Sequence, residues 1–454
     1  MQTTGDSTSV FAPGVRLLTI GLVSIVTLVA FESMAVATVM PLVEDDLGDL
    51  WLYGWVFTAF FLGNLVGAVI AGSAADRMRP AIPFAAGLLL FSAGLVVGGA
   101  ASSMGMLVAG RVLQGVGAGA MPAISYVCIG RGYRPESRAR MFALMSSAWV
   151  VPSVAGPALA GVIGATVGWR WVFLGLLPLC GVIGLIALLG VRTIETSHET
   201  AAASNVMRAL QVALGAGLLL AGLQTSAPFV AVPVVLIGVL VLIPAFRSLT
   251  PEGTLRARPG LAATVLVRGL LGFAFFAADA YVPFAITTVR GLSATIGGLA
   301  LTTATFTWTI ASWLQARWVD RTGPRRLIVA GLLVIAGGSL SMLAVLVPAI
   351  PAWIGLGSWA IAGFGIGLAY APLSLVTLAV APKGEEGRAT AGLQLSDMLG
   401  TALGTGVAGA VLTIAVRTFD SERVGLLAVF LISAAVALLG ARLAHRVPAR
   451  IHQT

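Results

Sequence analysis

Leu17 to Val43 reads LLTIGLVSIVTLVAFESMAVATVMPLV. About 20 apolar residues rising 1.5 Å each cross the roughly 30 Å hydrocarbon core of a bilayer, so this stretch is long enough to span one. Glu32 interrupts it. An ionised carboxylate at mid-membrane costs about 2.5–3.5 kcal/mol on insertion scales, and a helix that carries one turns it toward other helices or a watered cavity. Two roles fit such an acid: a protonated or paired strut between helices, or a titrating site on a transport path.

The rest of the chain has the same character. Of 454 residues, 58% are hydrophobic and only 10% charged, with a mean hydropathy of +0.99. A soluble domain cannot hide that much apolar surface, so the composition predicts an all-α polytopic membrane protein. The 56 glycines suit helices that pack in lipid through small side chains. A net charge of +9 is read here as cationic loops on one membrane face, not as a nucleic-acid surface. Cys128 and Cys180 lie in apolar segments and imply no disulfide framework. The polar start MQTTGDSTSVFAPGVR lacks a short apolar region with a cleavage site, so residues 17–43 are expected to be a retained span.

Apolar segments recur near 53–73, 81–102, 106–129, 141–165 and 171–191, then near 206–224 and 228–246 between polar connectors. Six more follow, near 261–287, 294–316, 327–348, 353–381, 389–416 and 424–445. The sequence thus predicts fourteen spans. They divide into a six-helix bundle over 1–192, a connector with two extra helices over 193–260, and a second six-helix bundle over 261–454. The arginines and the lone Lys383 set the orientation. With the N-terminus in the cytoplasm, Arg77, Arg79, Arg131, Arg134, Arg138, Arg140, Arg256, Arg258, Arg317, Arg321, Arg325, Arg326 and Arg388 lie inside. The outer loops keep only Arg170, Arg290, Arg417 and Arg423 beside the acidic Glu44, Asp45, Asp46 and Asp49. This positive-inside imbalance predicts a multi-pass membrane protein with both termini cytoplasmic.

The halves repeat one another. Glu32 precedes Asp76 by 44 residues, and Asp279 precedes Asp320 by 41. Each half therefore sets an intramembrane acid before an inner loop with an Asp-Arg pair, Asp76-Arg77 and Asp320-Arg321. Duplicated halves around a central site are the architecture of secondary transporters.

The fourth span, LVAGRVLQGVGAGAMPAISY, holds Arg111 and, one turn later, Gln114. It resembles the RxxQGxG pattern of the major facilitator superfamily, with Arg111, Gln114, Gly115 and Gly117 in the matching positions. In that family the arginine is associated with proton transfer, favouring the charged form of a nearby carboxylate. The next span, WVVPSVAGPALAGVIG, is similar to the GxxxGPxxGG signature of drug:proton antiporters through Gly156, Pro157 and Gly161; Pro152 and Ala160 replace two of its glycines. GSAADRMRP and WVDRTGPRRL resemble the family's inner-loop motif, which implies a latch that forms when the inside closes. FESMAVATVMP resembles the LDxTIVNVALP stretch of the 14-helix drug:proton antiporter subfamily, with Glu32 at its acidic position.

This resemblance implies a major facilitator fold of two six-helix bundles with a two-helix insertion. The implied function is proton-coupled, alternating-access export of small lipophilic or cationic compounds. Proton coupling is expected of Glu32, Asp279, Arg111 and Asp397, the last near the cytoplasmic end of its span. Gating is expected of Asp76, Arg77, Asp320, Arg321, Gly156 and Pro157. Gln114, Phe31, Trp149, Tyr281 and Trp308 are the candidate substrate contacts, the aromatics offering ring faces to flat cations. The expected partners are a small-molecule substrate, protons and the lipid bilayer, with no nucleic acid, cofactor or metal, and the expected working unit is a monomer. An exporter of lipids or envelope precursors is the alternative; a sensor or scaffold has no need for paired intramembrane acids. No GxxxxGK[ST] run is present to cradle a nucleotide.

Overall fold

The computed structural model describes residues 10–75, 77–195, 204–382 and 385–449. Asp76 and Lys383 lie outside the described residues. All regular structure among them is helical. The first half runs α1 (Arg16–Leu47), α2 (Tyr53–Ala75), α3 (Ala81–Gly99), α4 (Met104–Gly132), α5 (Pro135–Ser147), α6 (Val150–Thr166), α7 (Arg170–Leu174) and α8 (Leu176–Val191). A hairpin follows, α9 (Ser204–Gln224) and α10 (Pro228–Leu249). The second half runs α11 (Leu261–Asp279), α12 (Val282–Thr287), α13 (Ala294–Thr322), α14 (Pro324–Ser341), α15 (Ile354–Val380), α16 (Glu386–Phe419) and α17 (Glu422–Leu443).

Among the described residues, 12 helical segments are long and apolar enough to cross a membrane. The fourteen expected spans are met to that extent. Of the other two stretches, the fifth is interrupted between Ser147 and Val150, which divides it into α5 and α6. The other is α13, whose 29 residues include a run of threonines that lowers its apolarity. Their side chains turn back to the helix, as when Thr305 and Thr309 donate to the carbonyls of Leu301 and Thr305.

Small residues let the helices cross closely. A Cβ added at Gly115 or Gly119 of α4 would run into the carbonyls of Phe60 and Asn64 on α2. This crossing brings Arg111 within reach of α1 and α2. In the second half Gly400 of α16 meets the Gly269 carbonyl of α11 in the same way.

The halves meet mainly toward the face opposite the termini. Gly54 lies against Gly409, and Tyr53 stacks near Tyr281, with ring centroids 5.1 Å apart. Tyr53 donates to the Ala280 carbonyl at 3.3 Å, in the break between α11 and α12. Gly298 of α13 packs on the Pro157 carbonyl of α6. Toward the terminal face α5 rests on α1, α4 and α6 of its own half. The α9–α10 hairpin fills one seam there: Val212, Ala216, Leu242 and Phe246 join Leu62 and Leu65 of α2 and Leu395 and Leu399 of α16 in one apolar cluster. Gln224 pins its far end, accepting from Trp55 Nε1 at 3.1 Å on its side chain and from Arg417 Nη1 at 3.2 Å on its carbonyl. The hairpin therefore touches both bundles.

Candidate functional site

Glu32, Arg111 and Gln114 come together inside the first half, although the acid and the arginine are 79 residues apart. The guanidinium Nη1 donates to Glu32 Oε1 and, at 2.7 Å, to Gln114 Oε1. Its Nε donates to the Val56 carbonyl at 3.2 Å, and its plane lies 4.1 Å from the centre of the Phe60 ring. The pair is sealed: the side chains of Arg111 and Glu32 are 2% and 1% exposed. Removing two charges from water is expensive, and attraction offsets that only when the remaining polar atoms are satisfied. Here two are not. Glu32 Oε2 and Gln114 Nε2 are buried without a partner.

The second half carries an ion pair of reversed polarity. Arg268, on its first helix, faces Asp397 on α16, with Nη2 donating to Oδ2 at 3.2 Å and Nε 3.1 Å from Oδ1. Tyr370 of α15 donates its hydroxyl to the same Oδ2 at 2.8 Å, and its carbonyl accepts from Arg268 Nη1 at 2.8 Å. Its ring lies 3.1 Å under the guanidinium carbon. Asp397, expected near the cytoplasmic end of its span, lies about 16 Å along α16 and is buried within the protein interior. Arg268 and Tyr370 are absent from the sequence reading. A signal for Arg268 existed, an arginine about 10 Å into the apolar run LAATVLVRGLLGFAFFAAD. Nothing in the sequence singled out Tyr370.

Asp279 stands apart from both pairs. It ends α11, is half-buried, and accepts from Trp359 Nε1 at 2.7 Å on Oδ1. Among the described residues no lysine or arginine pairs with it. It was expected to share in proton coupling with Glu32, Arg111 and Asp397, and it lies apart from all three, with Trp359 as its partner.

The remaining candidates scatter. Gly156 lies beside Phe31 and Met34 of α1 within its own half, and Pro157 meets Gly298 at the boundary between the halves. Arg77 lies in the turn after α2, while Asp76 is outside the described residues. Asp320 and Arg321, in the last turn of α13, are exposed and form no side-chain ion pair among the described residues. Trp308 is half-buried, 5.8 Å from Phe275 and 5.5 Å from Tyr370 between ring centres. Tyr281 was expected to meet substrate; it is fully buried in the seam, its hydroxyl 3.4 Å from the Thr405 carbonyl, and offers no open face in this arrangement. Trp149 is 41% exposed at the break between α5 and α6.

Known proteins agree with this architecture. The multidrug transporter protein MdtP of Bacillus subtilis is 28% identical over 411 residues, 87% of this chain and 75% of its own. The multidrug efflux pump SdrM of Staphylococcus aureus is 31% identical over 190 residues, 41% of each chain. The xylose transporter XylE from E. coli, in a partially occluded inward-open conformation, shares the fold with a TM-score of 0.64 at 14% identity, covering 94% of this chain and 98% of its own. The profile of the Major Facilitator Superfamily matches residues 22–405 and, in a second register, 264–452. The chain belongs to the major facilitator superfamily, a family of membrane transporters.

Proposed function

We propose that this protein is a proton-driven exporter of small lipophilic or cationic compounds, of the multidrug-efflux kind and of the 14-helix drug:proton antiporter subfamily. The observation that carries the reading is the sealed Glu32–Arg111 pair with one carboxylate oxygen unpartnered. The names of MdtP and SdrM support the substrate class. The two bundles are taken as residues 1–192 and 261–454, with the α9–α10 hairpin as an insertion and with α13 and α5–α6 counted as spans, which restores fourteen. The arginine-rich loops support a reading in which both termini lie in the cytoplasm, the membrane being a plasma membrane. Contacts between the halves then gather on the outer side, so the arrangement described is inward-facing. The exposed Asp320 and Arg321 suit a latch that is released when the inside is open. The unit of transport is one chain, exchanging a substrate for protons between states that face the two sides in turn. One proton entering down about 100 mV and one pH unit supplies roughly 2.3 plus 1.4 kcal/mol, enough for a gradient of two to three decades.

Glu32→Gln keeps the shape of the acid and fixes its neutral form. In proteoliposomes under an imposed pH gradient, it should abolish concentrative transport while equilibrium substrate binding survives. Concentration equal to that of the parent protein would remove Glu32 from the coupling step.

A further inference from the structure

Polar groups also join the two halves on the side opposite the termini, and neither ion pair uses them. Tyr53 donates to the Ala280 carbonyl at 3.3 Å, where the break between α11 and α12 interrupts the helical ladder. Further along α2, Thr58 donates to the Ala402 carbonyl of α16 at 3.1 Å and lies 3.3 Å from the Thr405 hydroxyl. The Tyr281 hydroxyl is lodged between two glycines. A Cβ added at Gly54 would stand 2.9 Å from it and 2.9 Å from the Gly409 Cα, and one at Gly409 would stand 2.7 Å from it. Tyr53, Thr58 and Tyr281 are fully buried. Among the described residues every side-chain ion pair lies within one half, so the bonds running directly from α2 to the second half carry no charge. A neutral hydrogen bond contributes little net free energy, because water replaces it when its groups are exposed. A buried ion pair is harder to part, since each charge left behind is costly. A contact that is made and broken in every cycle is better built from the first kind.

We propose that Tyr53 and Thr58 are the outer latch of the transporter, an uncharged clasp that holds α2 on the α11 break and on α16 while the outside is closed. Opening the outside parts these helices and gives the two hydroxyls to water; closing it returns them to the carbonyls. The latch thereby sets how the protein divides its time between inward- and outward-facing states. The glycines supply the other condition, since only without side chains do the two backbones come close enough for the hydroxyls to reach. Val56, between the two latch residues, accepts from Arg111 Nε at 3.2 Å, so the same turns of α2 also touch the buried ion pair. The proposal rests on the alternating-access reading and adds the residues that set its balance. Both are positioning residues, acting through the geometry of the seam.

The test measures the distance across the outer side in the full chain, in phospholipid nanodiscs, by pulsed electron spin resonance. Nitroxide labels go on Trp51→Cys and Phe419→Cys, which are exposed at the outer ends of the two halves, while the native cysteines are buried. The parent should show mainly the short, closed distance. Thr58→Val, which keeps the shape and loses the hydroxyl, and Tyr53→Phe should each raise the ratio of long to short distances by about three- to tenfold. Gly54→Ala adds a methyl group where the helices touch and should shift the ratio the same way. Thr58→Ser keeps a hydroxyl and should stay close to the parent. Ser433→Ala removes an equally buried hydroxyl bond, to the Ala274 carbonyl within the second half, and should leave the distribution unchanged. Parental distributions in folded Thr58→Val and Tyr53→Phe overturn the latch, as does an equal shift from Ser433→Ala; uphill export by the parent then still stands. Distances that shift as expected, in a protein that never concentrates any compound under a proton gradient, leave the latch standing and overturn export.

Discussion

Each half of the molecule buries one arginine against one carboxylate, yet the two pairs are built differently. In the first half the acid is on the first helix and Arg111 on the fourth; in the second the arginine is on the first helix and Asp397 on α16. Glu32 has one partner side chain, while its second oxygen and the amide nitrogen of Gln114 are enclosed with none. Asp397 has two, Arg268 and the Tyr370 hydroxyl; its Oδ1 and Arg268 Nε lie 3.1 Å apart without a hydrogen bond, and its side chain is 12% exposed. A well-connected polar network rigidifies a core, and a partly satisfied one is where alternative arrangements lie close in energy. Both pairs leave polar atoms unmatched, so it is the second donor on Asp397 that makes the second-half pair the firmer fastening and the first-half pair the more movable charge.

The largest effect expected from this contrast is in the fastening. Arg268→Leu leaves Asp397 buried without its cation and should cost about 3–5 kcal/mol of stability. Unfolding in detergent measures it. The double variant Arg268→Leu/Asp397→Leu should recover most of the loss, because a buried pair is often replaceable by apolar groups of similar volume. A double variant as unstable as the single one would show that the pair does more than neutralise charge.

Tyr370→Phe comes next. It removes one hydrogen bond to a charged group and keeps the ring under the guanidinium, so about 1.5–3 kcal/mol should be lost. The same unfolding assay reads it, and a neutral result would make Asp397 no better held than Glu32.

Glu32→Gln should disturb stability less, by about 1–2 kcal/mol, since the amide still accepts from Arg111 and Gln114 still helps to hold it. A transport cycle that protonates Glu32 must also tolerate its neutral form. A loss as large as that of Arg268→Leu would erase the contrast between the halves, whatever the flux.

The smallest effect is at the hairpin. Trp55→Phe deletes the bond to Gln224 while Arg417 keeps its own, at a cost of about 0.5–1.5 kcal/mol. Cysteine accessibility along α2 and α16 should rise if the hairpin braces the halves. No change in accessibility would reduce it to a passenger on the seam.

The sequence alone was enough to establish that the chain crosses a membrane many times, and its recurring acids led to the expectation of two related halves. It also singled out Glu32 and the Arg111–Gln114 turn as polar groups in the interior. These properties are local: apolarity is additive along a segment, and an acid within an apolar run stands out without knowledge of its neighbours. Helix breaks were less legible. The fifth span divides at Ala148 and Trp149, and α11 stops at Asp279, because packing between helices sets where a backbone bends.

Partnership was the province of the tertiary structure. Asp397 looked like an isolated membrane acid near a helix end until Arg268, 129 residues away, and Tyr370 closed around it. Tyr281 looked like a substrate contact until Tyr53 and Gly409 enclosed it. Asp279 had no partner assigned until Trp359 was found on its oxygen. The hairpin looked separate until α2 and α16 were found on its flank. Each of these depends on which helix faces which, and that is decided by glycine crossings and side-chain fit between segments far apart in the chain. Hydropathy fixes that a helix is in the membrane; only its contacts decide which of its polar groups are held and which are left open to a ligand.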